Sequence, residues 1–334
     1  MFGFSFSITV LGAGNMGTAI AGIIGKNGHK VKIWNYEGDL EPLKQIKKYH
    51  ENKKYLPGVK LSENIIAEEN LEKAVRGADL IFYALPSGII LNVVEKTTAF
   101  LKKGVVCVDV SKGLDEKTLS TIPSAMKKIL PEHAKKNVAS LSGPAIAVDM
   151  ARGAFTAMNV ASEEIKAANL VKKALQNDSL RLKYTKDFIG VEIAGSLKNV
   201  YAIALGVADC FKWPMNTKSA ILISALKEVS ELVKKMGGLE QSVYDLAGIG
   251  DMICTALSPA SRNRRFGECL AKHANKESAA KSVGQVVEGI NTCALAMKLS
   301  KKYKVKMPLA QTIYDIVWKN YPAEETLKKF LKNI

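Results

Sequence analysis

The chain has 334 residues, of which 47% are hydrophobic, and it carries a formal net charge of +16. This length predicts two domains. No apolar run approaches the ~20 residues that a bilayer requires, so we expect no membrane span. The five scattered cysteines include no CxxC pair, which speaks against a disulfide framework and against a zinc site. We expect a cytoplasmic protein without a bound metal.

The positive charge is carried mainly by lysine. Of the 48 basic residues, 42 are lysine, and most of them are spread along predicted helices as a solvated surface. The basic runs lack interleaved aromatic residues and any zinc or helix-turn-helix signature, so we expect no nucleic-acid partner. A basic nucleic-acid-binding protein remains an alternative from another functional class. Arginine behaves differently, because three of the six arginines lie within residues 262–265.

The N-terminal segment predicts a β-turn-α-β unit. A β-rich run at 5–11 precedes Gly12-Ala13-Gly14-Asn15-Met16-Gly17, an apolar helix follows to Lys26, and a second strand spans Lys30 to Trp34. In this context the glycines permit a tight turn and close approach of a pyrophosphate to the helix N-terminus. Glu37 lies 20 residues after Gly17, where such folds place the acidic residue that meets the ribose.

Further apolar runs at 80–85, 105–110 and 138–141 are typical of parallel strands covered on both faces. Alternating β and α elements predict an α/β fold, a Rossmann-type doubly wound parallel sheet. From Phe188 onward the patterns are helical and almost no strand signal remains. We therefore predict a dinucleotide-binding domain at 1–187 and an all-helical, substrate-binding and catalytic domain at 188–334.

Two turns follow predicted strands. Ser111-Lys112-Gly113 comes directly after the run 105–110, and Leu141-Ser142-Gly143-Pro144-Ala145 ends the run 138–141. In an open α/β sheet the carboxyl ends of the strands border the ligand crevice. Lys112 is therefore placed to meet a bound anion. Taken alone, this residue is more simply interpreted as one exposed lysine among 42.

Lys198 lies on a predicted helix, 190–209, that is apolar nearly all round. Such a helix should be buried, and its lysine should be withdrawn from water. Burial lowers the pKa of a lysine toward the range useful for proton transfer. The alternative is a lysine whose stem is buried and whose ammonium reaches solvent.

A third group follows at 251–265. Asp251 and Thr255 are four residues apart and should share one helix face. Ser258-Pro259 should break that helix, and Ser261 should cap the next one, which runs toward Lys272. Arginines in a first helical turn oppose the helix dipole, and a bound phosphate would relieve this conflict.

Taken together, these segments resemble the NAD(P)-dependent glycerol-3-phosphate dehydrogenase family over nearly the whole chain. The resemblance is carried by the following runs: GAGNMG at 12–17, HENKKYLPG at 50–58, SKG at 111–113, SGPAIA at 142–147, GVEIAGSLKNVYAIALG at 190–206, GIGDMICT and SRNRRFG within 248–267, and VVEG at 286–289. It implies an enzyme that interconverts dihydroxyacetone phosphate and sn-glycerol 3-phosphate in support of phospholipid synthesis. It also implies a homodimer whose site lies between a Rossmann domain and a helical domain.

The resemblance assigns roles to particular residues. Lys198 would be the proton donor and acceptor, and Arg262 would hold the substrate phosphate. The predicted substrate-binding residues are Lys112, Gly143, Asn199, Asp251, Thr255, Ser261, Arg262 and Asn263. The predicted cofactor-binding residues are Gly12, Gly14, Asn15, Met16, Gly17, Tyr36, Glu37, Pro86, Lys112, Ala147, Arg262, Val286 and Glu288.

The sequence departs from the family pattern at two places. Ala145 follows Ser-Gly-Pro where many members have a hydroxyl side chain, and no basic residue lies between Asn35 and Leu40. Glu37 in that stretch would repel a 2′-phosphate, so we expect NAD as cofactor, with NADP as the second option. Two further alternative functions remain. One is a related Rossmann reductase of a hydroxy acid or imine, whose substrate has no phosphate for Arg262 to bind. The other is a non-catalytic NAD sensor.

Overall fold

The computed structural model describes residues 6–273 and 275–334, so Ser5 of the predicted first strand lies outside the described residues. The chain divides into two units. The first unit extends to Asp115 and resumes over Ile122–Phe188, and the second comprises Glu116–Thr121 and Ile189–Ile334.

The first unit contains one eight-stranded sheet. Its strands are β1 (Ile8–Leu11), β2 (Val31–Trp34), β3 (Ile65–Ala67), β4 (Leu80–Tyr83), β5 (Val106–Asp109), β6 (Val138–Ser142), β7 (Thr156–Ser162) and β8 (Leu180–Thr185). The spatial order is β3-β2-β1-β4-β5-β6-β7-β8. The first six strands follow the Rossmann order and pair in parallel, whereas β7 runs antiparallel to β6. The predicted Rossmann sheet is confirmed, and the antiparallel step is an addition to it.

Burial explains which strands the sequence revealed. Every residue of β1, β4 and β5 is buried, which gives continuous apolar runs. By contrast, β3 has three residues and β8 alternates buried with exposed positions at its start, so both carry weak signals. The helices of this unit are α1 (Asn15–Lys26), α2 (Glu41–Tyr49), α3 (Leu71–Val75), α4 (Ser87–Thr97), α5 (Ile122–Ile129), α6 (Glu132–Lys135), α7 (Ala147–Ala151) and α8 (Ile165–Leu175).

The second unit is helical, as predicted, and beyond Thr185 no strand occurs among the described residues. Its helices are α9 (Phe188–Cys210), α10 (Met215–Lys235), α11 (Asp251–Leu257), α12 (Arg262–His273), α13 (Lys276–Val283), α14 (Glu288–Tyr303), α15 (Pro308–Lys319) and α16 (Ala323–Leu331). A short π-helical segment, Leu246–Gly250, leads directly into α11.

Helix α9 is the core helix of this unit. By length and composition it is apolar enough to cross a membrane, so the expectation that no run approaches that size is wrong for this segment. However, 94% of its apolar window is buried inside the protein, which is the behaviour of a core helix.

Two glycines bring α9 and α12 into backbone contact. A Cβ atom at Gly206 would lie 1.9 Å from the carbonyl oxygen of Arg264, and one at Gly267 would lie 2.1 Å from that of Ile203. No larger residue fits at such distances, so both positions require glycine for close packing. The crossing fixes α9 against α12.

Glu228 on α10 joins three helices. Its carboxylate accepts the backbone N–H groups of Leu309 and Ala310 at 2.5 and 3.1 Å, and the hydroxyl of Tyr201 at 3.0 Å. It therefore satisfies the free N–H groups at the start of α15 while binding α9. Burial raises the pKa of Glu228 to about 7, because the low-dielectric interior disfavours the charged form.

Candidate functional site

The glycine turn has the shape that a dinucleotide requires. Gly12 adopts a φ of +113°, and a Cβ there would lie 2.3 Å from the carbonyl oxygen of Ala84. A Cβ at Gly17 would lie 1.9 Å from the Gly12 oxygen, whereas one at Gly14 would meet nothing within 4 Å. The first N–H groups of α1 have no side-chain cap. Open space therefore faces an uncapped helix N-terminus, which fits a pyrophosphate.

The turn is fixed by two buried asparagines that the sequence analysis did not single out. The Asn35 side chain accepts the N–H of Ala13 at 3.1 Å, and the Asn52 amide donates to the Ala13 oxygen and to Thr18 Oγ1, both at 2.8 Å. Asn52 lies in the HENKKYLPG run, but nothing in that run indicates its contact with a turn 39 residues earlier.

The remaining predicted cofactor residues of this unit occupy several loops. Tyr36 is half-exposed and its ring lies against Gly38, and Glu37 is exposed. Asn15 is exposed, and Met16 packs partly against the core of the sheet. Pro86 precedes α4 and Ala147 begins α7.

Lys112 and Gly143 meet at the carboxyl ends of neighbouring strands. Lys112 follows β5 and Gly143 follows β6, and Lys112 Nζ donates to the Gly143 backbone oxygen at 3.2 Å. The turn before Lys112 is shaped by Asp109, whose Oδ1 accepts the N–H of Ser111 at 2.8 Å. Burial raises the pKa of Asp109 to about 7, although hydrogen bonds from Ser111 oppose the rise.

In the second unit, Lys198 is the centre of a buried polar cluster. Only 4% of its side chain is exposed, and its ammonium donates hydrogen bonds to Asp251 and, at 2.7 Å, to Thr255 Oγ1. Thr255 also donates to Asp251 Oδ1 at 3.3 Å. The predicted burial of Lys198 and the shared face of Asp251 and Thr255 are confirmed. A buried ammonium with a carboxylate and a hydroxyl at hydrogen-bonding distance is equipped to hold and transfer a proton.

A second polar network adjoins Lys198 along the chain. Asn263 donates to the Asn199 side-chain oxygen at 2.8 Å and accepts the N–H of Gly289 at 2.8 Å. Asn199 in turn donates to Glu288 Oε2 at 3.4 Å. This network ties α9, α12 and the start of α14 together. Val286, two residues before Glu288, is 68% exposed.

The arginine cluster divides into two kinds of residue. Arg264 pairs with Asp209 at 2.6 Å and with Glu268 at 2.9 Å, and Arg265 donates to the Val283 oxygen at 3.4 Å. These contacts stabilise the protein without any phosphate, which corrects the interpretation that the whole cluster awaits an anion.

Arg262 is the exception. It is exposed at the first position of α12 and forms no ion pair within the described ranges. Ser261 caps the helix as predicted, because its hydroxyl accepts the N–H of Arg264 at 3.3 Å. Within the part of the chain that the structure describes, the Arg262 guanidinium is therefore available to bind an anion.

Two family models match the chain. The model described as NAD-dependent glycerol-3-phosphate dehydrogenase N-terminus covers residues 7–168, and the corresponding C-terminus model covers residues 187–328. A glycerol-3-phosphate dehydrogenase [NAD(P)+] of Bacillus velezensis is 37% identical over 98% of this chain and 94% of its own length. The enzyme of the same name from Fusobacterium nucleatum is 36% identical over 97% of this chain and 96% of its own length.

Solved structures give the same result. The crystal structure of glycerol-3-phosphate dehydrogenase from Coxiella burnetii superposes with a TM-score of 0.92 at 29% identity, covering 99% of this chain and 100% of that one. A ketopantoate reductase from Ralstonia eutropha covers 97% of this chain and 99% of its own, but with a TM-score of 0.59 and 12% identity. That second likeness concerns the fold alone.

Proposed function

The chain belongs to the family of NAD-dependent glycerol-3-phosphate dehydrogenases, and on that premise we propose that Lys198 exchanges the proton with the oxygen at C2 of the substrate. The protein is an NAD(P)-dependent oxidoreductase that interconverts dihydroxyacetone phosphate and sn-glycerol 3-phosphate. The buried contact of the Lys198 ammonium with Asp251 and Thr255 is the observation that supports this role.

A nicotinamide cofactor, when bound, would supply the hydride for reduction and accept it in the oxidative direction. Negative charge develops on the carbonyl oxygen during reduction, and the Lys198 ammonium stabilises that charge and gives up a proton. Asp251 holds the ammonium in place, and Thr255 limits its orientation. In the oxidative direction, neutral Lys198 takes the proton of the alcohol.

Arg262 binds the phosphate of the substrate in our proposal. A guanidinium offers parallel donors to two phosphate oxygens, and Arg262 is exposed and forms no ion pair among the described residues, so these donors are available. Binding the phosphate, away from the reacting carbon, aligns the carbonyl oxygen with the proton donor. Asn199, Ser261 and Asn263 complete this set, and both polar atoms of the Asn263 side chain, Nδ2 and Oδ1, form hydrogen bonds that hold it in position.

The first unit serves as the dinucleotide-binding domain in this proposal, and the second serves substrate binding and catalysis. We assign Gly12, Gly14, Asn15, Met16 and Gly17 to the pyrophosphate. The other proposed ligands of the cofactor or substrate are Tyr36, Glu37, Pro86, Lys112, Gly143, Ala147, Val286 and Glu288. We also propose a homodimer, and a cytoplasmic location that suits five free cysteines.

The decisive experiment follows reduced-nicotinamide absorbance with dihydroxyacetone phosphate and with unphosphorylated dihydroxyacetone, each with NADH and NADPH. We expect rapid oxidation only with the phosphorylated ketone. Equal rates with both ketones would contradict the role of Arg262. Turnover of a 2-keto acid in place of either ketone would favour the hydroxy-acid reductase alternative.

A further inference from the structure

A charged cluster lies just beyond the end of β2. Asp39 Oδ1 accepts a hydrogen bond from Lys54 Nζ at 2.8 Å, and Asp39 Oδ2 accepts one from the Tyr55 hydroxyl at 2.7 Å. The Asp39 side chain is 7% exposed, whereas that of Lys54 is 44% exposed. The carboxylate is therefore enclosed, while the Lys54 side chain stays partly exposed to solvent.

This cluster is attached to the glycine turn by hydrogen bonds. Asn35, whose side-chain oxygen accepts the N–H of Ala13, also donates to the backbone oxygen of Asp39 at 2.6 Å. Asn52, which donates to the Ala13 oxygen, accepts the N–H of Tyr55 at 3.2 Å. Both halves of the cluster are thus held by the same residues that hold the turn, so their position beside it is fixed.

The carboxyl end of β2 is where a Rossmann domain meets the adenosine ribose of its cofactor. An acidic side chain there favours the 2′-hydroxyl of NAD, and a cation accommodates the 2′-phosphate of NADP. The stretch 35–40 contains no basic residue. The structure nevertheless brings a lysine to this place, from 15 residues beyond Asp39.

Both oxygens of Asp39 are already engaged, so this carboxylate is not presented to the ribose. Burial raises the pKa of Asp39, but hydrogen bonds from Lys54 and Tyr55 outweigh it and hold that pKa below its ordinary value. The bond to Asp39 raises the pKa of Lys54. The pair is accordingly charged at neutral pH, and each charge offsets the other.

We propose that Lys54 is the residue that contacts the 2′-phosphate of NADP, and that Asp39 limits this contact by pairing with it. The inference rests on the proposed function and refines its cofactor specificity. Exposed Glu37 repels the 2′-phosphate, and Lys54, whose charge is partly offset by Asp39, attracts it. NADPH is therefore a usable but poorer cofactor, and the balance depends on the Asp39–Lys54 pair.

The test uses adenosine 2′,5′-bisphosphate and AMP, which differ by the 2′-phosphate alone. Calorimetry on the full chain gives the ratio of their dissociation constants for the wild type, Lys54→Gln and Asp39→Asn. Lys53→Gln is the matched control, because Lys53 is the neighbouring lysine and lies over the Tyr49 ring, 4.9 Å from its centroid.

We expect Lys54→Gln to weaken the bisphosphate relative to AMP by roughly threefold to tenfold, and Asp39→Asn to strengthen it by a similar factor. Lys53→Gln should leave the ratio unchanged. The ratio of kcat/KM for NADPH to that for NADH should change in the same directions. Both effects should shrink as salt is raised.

A ratio for Lys54→Gln within twofold of the wild type would overturn the proposal. So would an equal loss with Lys53→Gln, since that result indicates general surface charge. Should Asp39→Asn fail to fold, Lys54→Gln still decides the question. If the wild type reduced no dihydroxyacetone phosphate, the proposed function would fail while the binding ratio still tested Lys54.

Discussion

Replacement of Lys198 by alanine tests the mechanism most directly. Groups that transfer a proton in the transition state contribute about 10²–10⁴-fold to rate, which corresponds to about 3–5 kcal/mol of barrier. The buried setting of Lys198 supports the upper part of that range, because its ammonium acts out of contact with bulk water. We expect kcat to fall by at least a hundredfold, with binding of reduced cofactor nearly intact.

The same substitution affects folding, and this effect has to be measured separately. Removing the ammonium leaves Asp251, which is 1% exposed, without its charged partner. Such losses typically cost about 3–5 kcal/mol of stability. Lys198→Met keeps most of the side-chain volume, and combining it with Asp251→Asn removes the unpaired charge. Thermal unfolding of these variants identifies those that remain folded at the assay temperature.

The assay is steady-state oxidation of reduced nicotinamide at saturating dihydroxyacetone phosphate, with cofactor binding followed by fluorescence. Lys218→Met is the matched control, since Lys218 also pairs with a partly buried aspartate, Asp209, in the same unit. It should retain turnover. If folded Lys198→Ala keeps more than about a tenth of the wild-type kcat, Lys198 is not the proton donor.

Four further predictions follow from the structure. Arg262→Lys keeps the charge but loses the planar fork, so kcat/KM for dihydroxyacetone phosphate should fall at least tenfold. The kcat/KM for unphosphorylated dihydroxyacetone, a poor substrate, should not change. An equal fall with both ketones would refute phosphate binding by Arg262. NADH should exceed NADPH by roughly tenfold in kcat/KM, and Tyr36→Arg with Glu37→Ser should narrow the gap; a native preference for NADPH would contradict this reading. Burial raises the pKa of Glu228 to about 7 from 4.5, so the folded state retains a proton that the unfolded state releases, and unfolding free energy should fall as pH rises between these values. Thermal scans from pH 4.5 to 8 should show this decline in the wild type and lack it in Glu228→Gln, and equal slopes would exclude Glu228 as its source. Gly206→Ala should destabilise the protein by about 1–3 kcal/mol or more, because its methyl group would overlap a carbonyl of α12, and an unchanged unfolding midpoint would show that the crossing can relax.

Local patterns were sufficient for much of the fold and for part of the site. The turn at Gly12 was predictable because its strand and helix are continuous apolar segments on either side of it. Lys198 was predictable because a lysine on a helix that is apolar all round is conspicuous. Asp251 and Thr255 were predictable because helical spacing alone places them on one face.

Contacts between distant parts of the chain were not predictable. Nothing in the sequence indicates that Asn52 holds the turn at Ala13, or that Lys54 comes to the end of β2. The neutralisation of Arg264 by Asp209 has the same origin, since these residues are 55 positions apart. Such pairs are set by how helices and loops pack, which periodicity does not encode.

The crossing of α9 and α12 has a consequence for which molecules can react. Asn199 on α9 and Asn263 on α12 form a hydrogen bond that joins the two helices. Lys198 and Arg262 each lie one residue before a member of this pair. Because glycine contacts hold α9 and α12 close together, the backbone positions of Lys198 and Arg262 are fixed relative to each other. If Lys198 and Arg262 act as proposed, this fixed backbone spacing disfavours a ketone whose phosphate lies one carbon farther from its carbonyl than in dihydroxyacetone phosphate.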